Sequence, residues 1–165
     1  MTCELVLRAA HQSLGKLVKE YLEALDGISD EDLNTWLPGA VSNGGGEMNT
    51  FAAMSVHVIG AGSWMLFHQV FGEEVARDRE AEFHATATRQ EIDDLFATML
   101  SRLADHIESD ADLDLYSLPP TIRETVPDWT RAAWLFHAID HTALHLGHAQ
   151  IQRQLWLAER NMGQR

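Results

Sequence analysis

The stretch MNTFAAMSVHVIGAGSWMLFHQVFG, residues 48 to 72, decides how the rest of the chain is read. Its 25 residues carry no formal charge and are long enough to cross a bilayer as a helix. But Asn49, Thr50, Ser55, His57, Ser63, His68 and Gln69 interrupt it, with Gly60 and Gly62. A lone spanning helix would have to hold these polar groups in lipid. A helix apolar nearly all round is also the mark of the buried member of a soluble bundle, and that is the reading adopted. The spacing predicts a helix from Met48 or Asn49 to Gly72, with Gly60-Ala61-Gly62 as a thin waist where another helix can approach closely.

Working outward, the N-terminal side predicts a helix over 3–26, with Leu7, Leu14, Val18, Tyr21, Leu22 and Leu25 at helical spacing and Gly27 as its stop. Residues 27–47, with Pro38 and NGGGE at 43–47, read as a loop holding at most one short turn after Ser29. The free amides at NGGGE offer an anion site, although a flexible turn is the plainer reading. On the C-terminal side, 73–87 is a polar connection. Thr88-Arg-Gln-Glu91 is a capping box, and Ile92, Leu95, Phe96, Met99, Leu103 and Ile107 give the stripe of a third helix ending near Ser109. A non-helical link follows over 110–127. A fourth helix is predicted to start at Asp128 as N-cap and to run about 34 residues, roughly 50 Å. Four amphipathic helices without a strand pattern predict an all-α four-helix bundle, a single domain over 1–165, with long 1–2 and 3–4 connections.

Asp and Glu number 25 against 12 Lys and Arg, a formal net charge of −13. That balance argues against nucleic acid and against anionic lipid as partners. One cysteine, Cys3, permits no intrachain disulfide, and the start of the chain lacks the apolar run of a signal peptide. A cytoplasmic location is the expectation.

The chemistry is concentrated in HAIDHTALHLGH, residues 137–148. At about 100° per residue, His148, His141 and His145 lie within about 80° of His137. Only an adjacent pair such as His141 and His145 can converge on one ion, so a third ligand must come from elsewhere. Spacing alone leaves a metal site and a set of packed or hydrogen-bonded imidazoles both open. His57 is the most informative partner candidate: it lies in the apolar helix with no acidic residue near in sequence, so its burial demands a metal, a ligand or a hydrogen-bond partner. His11 falls in the first helix's stripe and either lines a pocket or bonds across the core. His68 is too far along the helix to share a site with His57, His106 reads as a surface residue and His84 carries no signal. No HExxH zincin motif, ExxH carboxylate-bundle motif or phosphate loop occurs, and Cys3 has no activating neighbour in sequence.

A bundle with one histidine in an apolar second helix and HxxxH, then a glycine, in the last resembles the DinB/YfiT-like superfamily of metal-dependent enzymes. The matching segments are 48–73 and 136–157. The resemblance implies His57, His141 and His145 as ligands of one divalent metal, zinc or nickel. It also implies a small-molecule substrate, a homodimer and, in related branches, a low-molecular-weight thiol such as mycothiol or bacillithiol. His148 stands where the family commonly has Gln. His11, His137, His148 and Asp140 remain as pocket or supporting residues, with Asp140 a candidate acceptor for a ligand imidazole. Three neutral imidazoles leave an open coordination position, which favours a metal-dependent transferase, isomerase or hydrolase. The alternative is a non-catalytic metal- or ligand-binding bundle with a stress-related or interaction role.

Overall fold

The computed structural model describes residues 3–39, 48–110 and 112–163. The NGGGE run lies outside the described residues. No strand occurs among the described residues, and the fold is all-α. Helix α1, Cys3–Ala24, buries Leu7, Ala10, Leu14, Val18 and Tyr21 on one face. It ends ahead of Gly27, whose φ is 78°. The turn expected after Ser29 is a short helix, α2, Asp30–Thr35, with the Ser29 side chain accepting from the Asp32 amide.

The segment that decides the fold is central. Helix α3, Phe51–Ser63, is capped by Thr50, a residue or two later than expected, because the Thr50 hydroxyl accepts from the Ala53 amide at 3.2 Å. It continues without a break as a π-helix, Trp64–Val70, in which the Phe71 amide reaches back to the Leu66 carbonyl. The chain leaves this segment at Gly72, with φ 80°. By length and composition Phe51–Val70 passes as a membrane span, but 72% of its most apolar window is buried inside the fold, as in the core of a soluble bundle. Ser55 Oγ donates to the Phe51 carbonyl and lies 3.2 Å from the Tyr21 hydroxyl, whereas the buried Gln69 amide has no hydrogen-bond partner.

After a link comes one short turn, α4, Arg79–Glu82, capped by Asp78. Helix α5, Arg89–Ser109, opens with the predicted capping box: the Glu91 amide donates to Thr88 Oγ1 and the Thr88 amide donates to Glu91 Oε2. Its stripe is as expected except that Leu95 is exposed. Helix α6, Arg131–Gly163, begins two residues later than an N-cap at Asp128 would place it. The turn closed by Trp129 onto the Val126 carbonyl keeps Asp128 outside the helix. Thr130 accepts from the Ala133 amide instead, and the Arg131 and Ala132 amides donate to the Ser117 and Leu115 carbonyls of the preceding link. That link supplies partners for amides that a helix start otherwise leaves free.

The four long helices share one core, in which Leu7, Leu14, Phe51, Leu66, Phe67, Phe96, Leu103 and Leu135 are fully buried. Long polar side chains of α6 fasten the loops over it. Arg153 donates to the Glu23 and Ala24 carbonyls at the end of α1, and Trp156 Nε1 donates to Asp32.

Candidate metal centre

Helices α3 and α6 cross so that His57, His141 and His145 face one another. Their ring centroids are 5.2 Å (His57–His141), 5.1 Å (His57–His145) and 4.5 Å (His141–His145) apart. One nitrogen from each lies within 4.8 Å of the others. Two nitrogens on a tetrahedral ion at about 2.1 Å sit about 3.4 Å apart, so side-chain movements of roughly 1 Å would close the set on a cation.

The electrostatics suit such a role. Burial, then the neighbouring His145, His57 and His137, lowers the pKa of His141 to about 3. Burial, then His57 and His148, lowers that of His145 to about 4. Both are therefore neutral at pH 7 with a lone pair to give. The buried Nδ1 of His141 has no hydrogen-bond partner, an imbalance that a protein core rarely tolerates without a ligand.

His57 is held differently. Its Nδ1–H donates to Glu82 Oε2 at 2.9 Å, which leaves Nε2 free for the cluster. Arg77 grips the same carboxylate with two hydrogen bonds, Nε to Oε1 at 2.7 Å and Nη2 to Oε2 at 2.8 Å. Burial works to raise the Glu82 pKa, but the bonds from Arg77 and His57 outweigh it and hold the carboxyl below its ordinary value. Phe83 stacks on the His57 ring at 4.9 Å. Gly60, one turn along α3, makes this approach possible: a Cβ there would collide with the Glu82 carboxylate. The thin waist thus admits a carboxylate at Gly60, whereas Gly62 faces Met99 of α5 as a close helix approach.

Glu82, Arg77 and Phe83 all come from the polar connection, and sequence reasoning missed them. With 25 acidic residues to choose from, nothing marked Glu82 as the partner that the buried His57 demanded. The one available signal was Gly60, a missing side chain three residues from that histidine.

The remaining histidines separate. His137 sits 6.2 Å from His141, edge-on to Trp129, and lines a cavity of about 390 Å³ with His57 and His141. Trp64, Met65 and Trp134 wall that cavity. His148 packs edge-on to His145 on the other side and lines a second cavity of about 360 Å³ with Met54 and Gln152. His11 is half-buried on α1 and lines neither cavity. Asp140 is exposed, 4.0 Å from His137, so the carboxylate that orients a cluster imidazole is Glu82 and not Asp140. His68 pairs with the Glu73 carbonyl beyond the π-helix. His106, expected at the surface, is largely buried, stacked on Phe71 at 4.0 Å between Glu73 and Asp110. Burial, then Asp110, Asp112 and Asp114, raises the Cys3 thiol, which disfavours a reactive thiolate.

An all-α bundle that gathers three imidazoles from two helices, two of them held neutral, has the makings of a metal-binding helical protein. The family profile of the DinB superfamily matches residues 14–149, and the chain belongs to that superfamily. A solved structure described as the conserved protein of locus from Enterococcus faecalis is similar in fold, with a TM-score of 0.67 at 15% identity, covering 96% of this chain and 99% of that one. Comparison with curated proteins returns no match.

Proposed function

We propose that His57, His141 and His145 hold one divalent cation, zinc or nickel, and that the protein is a metal-dependent enzyme of small-molecule chemistry. Membership of a superfamily known for binding metals supports the first part. The observation that carries the second is the cavity of about 390 Å³ that opens onto His57 and His141. A purely structural site is closed by protein ligands, whereas this one has room for water or substrate. When bound, a cation there supplies Lewis acidity: it acidifies a water or a thiol, or polarises a carbonyl. The chain's own residues do the rest. Glu82 fixes the His57 tautomer and strengthens it as a donor, and Arg77 keeps Glu82 ionised. Trp64 and Trp134, 5.4 Å apart and edge-on, shield one side from water.

The cavity residues include no serine, cysteine or carboxylate nucleophile. That favours a reaction in which the nucleophile arrives with the substrate, as in a thiol-dependent transferase or isomerase, or is a water, as in a hydrolase. The same observation supports the second reading, a non-catalytic metal- or ligand-binding bundle. We further propose a cytoplasmic homodimer; the exposed Leu144, Ile151 and Leu155 on α6 offer an apolar row for it, and light scattering measures its mass.

Metal analysis of protein purified without a histidine tag, combined with zinc titration of His57→Ala, tests the centre. About one equivalent of metal and a large loss of affinity in the variant are expected. No bound metal together with unchanged zinc affinity sinks the reading. A screen of small thiols with electrophilic partners, and of hydrolysable esters and amides, then separates enzyme from binding protein.

A further inference from the structure

The chain carries 25 acidic and 12 basic residues, yet the cavity above the histidines is lined by three arginines, Arg77, Arg79 and Arg123, and by no acidic residue. Arg77 is neutralised from beneath by Glu82. Arg79 and Arg123 are not: among the described residues neither forms an ion pair, and each lies against an aromatic ring instead. The Arg79 guanidinium is 5.3 Å from the centre of Phe83, which stacks in turn on His57. The Arg123 guanidinium is 5.5 Å from the centre of Trp64, which meets Trp134 edge-on. The two charges thus approach the mouth from different chain segments, the 73–87 connection and the link before α6, and each is backed by a ring that also walls or supports the site.

We propose that this cavity selects a small organic carboxylate, its anionic group held by Arg79 and Arg123 and its apolar part set against Trp64 and Trp134. In a molecule with a net charge of −13, an anion is repelled from most of the surface, and a patch with two uncompensated guanidinium groups is where it can settle. Planar guanidinium forks match a carboxylate in geometry as well as charge. A neutral substrate would gain less from them, and a cationic one would be repelled. The volume of about 390 Å³ fits a molecule of roughly ten to fifteen heavy atoms. This substrate class rests on reading the cavity as the substrate side of the metal centre, and the test keeps the two apart.

Isothermal titration of the metal-free protein with phenylacetate, phenylacetamide and phenethylamine tests charge selection without a cation that would itself attract a carboxylate. Phenylacetate is expected to bind at least about 10-fold more tightly than the amide, with the amine weakest. Raising salt to about 0.5 M should shrink that preference. In the double variant Arg79→Gln/Arg123→Gln the preference should disappear while zinc affinity stays within about 2-fold. In Arg79→Lys/Arg123→Lys part of it should survive, because charge remains and only the fork is lost. Equal binding of acid and amide, no saturable binding of the acid up to about 10 mM, or an unchanged preference in the glutamine variant would each overturn the proposal. A protein that binds no zinc could still select the acid in this titration, and one that binds zinc could fail to, so the metal reading and the anion reading fail separately.

Discussion

Among the described residues two histidines hydrogen-bond to carboxylates, His57 and His106, and they differ in what is left over. Both nitrogens of His106 are engaged, Nε2 with Glu73 at 2.7 Å and Nδ1 with Asp110 at 2.7 Å, and its face is covered by Phe71. It joins the end of the π-helical segment to α5 and has nothing further to give. His57 uses one nitrogen on Glu82 and presents the other to two imidazoles, one of which has a buried nitrogen without a partner. A saturated imidazole holds structure together, whereas an unsaturated cluster asks for a ligand. The contrast teaches that a carboxylate beside a histidine says little until the second nitrogen is accounted for.

The largest test of that contrast is a pair of alanine variants. His141→Ala should cut zinc affinity by about a thousandfold, near 4 kcal/mol, with fold retained. His106→Ala should leave zinc affinity alone and lower unfolding free energy by about 1–2 kcal/mol, read by urea denaturation. Equal effects on zinc would erase the distinction. Next, Glu82→Gln should weaken zinc binding about 10- to 100-fold by loosening His57. Gly60→Ala should mimic part of that loss by pushing the carboxylate away, which the same zinc titration will show.

The acid response is smaller. His141 and His145 have folded pKa values of about 3 and about 4, well below the ordinary histidine value near 6.5. Above about pH 6.5 neither state binds protons there, and the contribution to stability is constant. As pH falls from about 6.5 towards about 4, the unfolded chain takes up protons that the folded chain refuses. The melting temperature of metal-free protein should therefore drop through that window, and His141→Phe should flatten the drop. Last, Asp140→Asn should change zinc affinity less than about 2-fold and stability by less than about 0.5 kcal/mol, since the carboxylate is exposed.

Much of the fold could be read from local pattern. The stripes of α1 and α5 and the Thr88–Glu91 box are set by neighbours a few residues apart, which a sequence displays directly. The pairing of His57 with His141 and His145 was not a matter of spacing; it came from resemblance, and the crossing of α3 and α6 is where the structure puts it. What escaped is what depends on long-range contact. Asp128 is a sound N-cap by type, yet carbonyls at Leu115 and Ser117 set where α6 begins. His106 looked peripheral because Phe71 and Glu73, which cover it, lie more than thirty positions earlier. Glu82 sits in a run of exposed charges whose members only the folded chain can tell apart.

The π-helical stretch at 64–70 has a consequence for how this scaffold can change. It behaves as a vernier between two ends of one rod. Upstream, α-helical pitch fixes where His57 points; downstream, the wider winding sets the angle at which Phe67, His68 and Phe71 leave the rod. Removing one residue there would restore ordinary pitch and turn everything beyond it by about a quarter of a revolution, with His57 undisturbed. Length variation at this spot therefore retunes one end of the molecule while the histidine at the other keeps its aim.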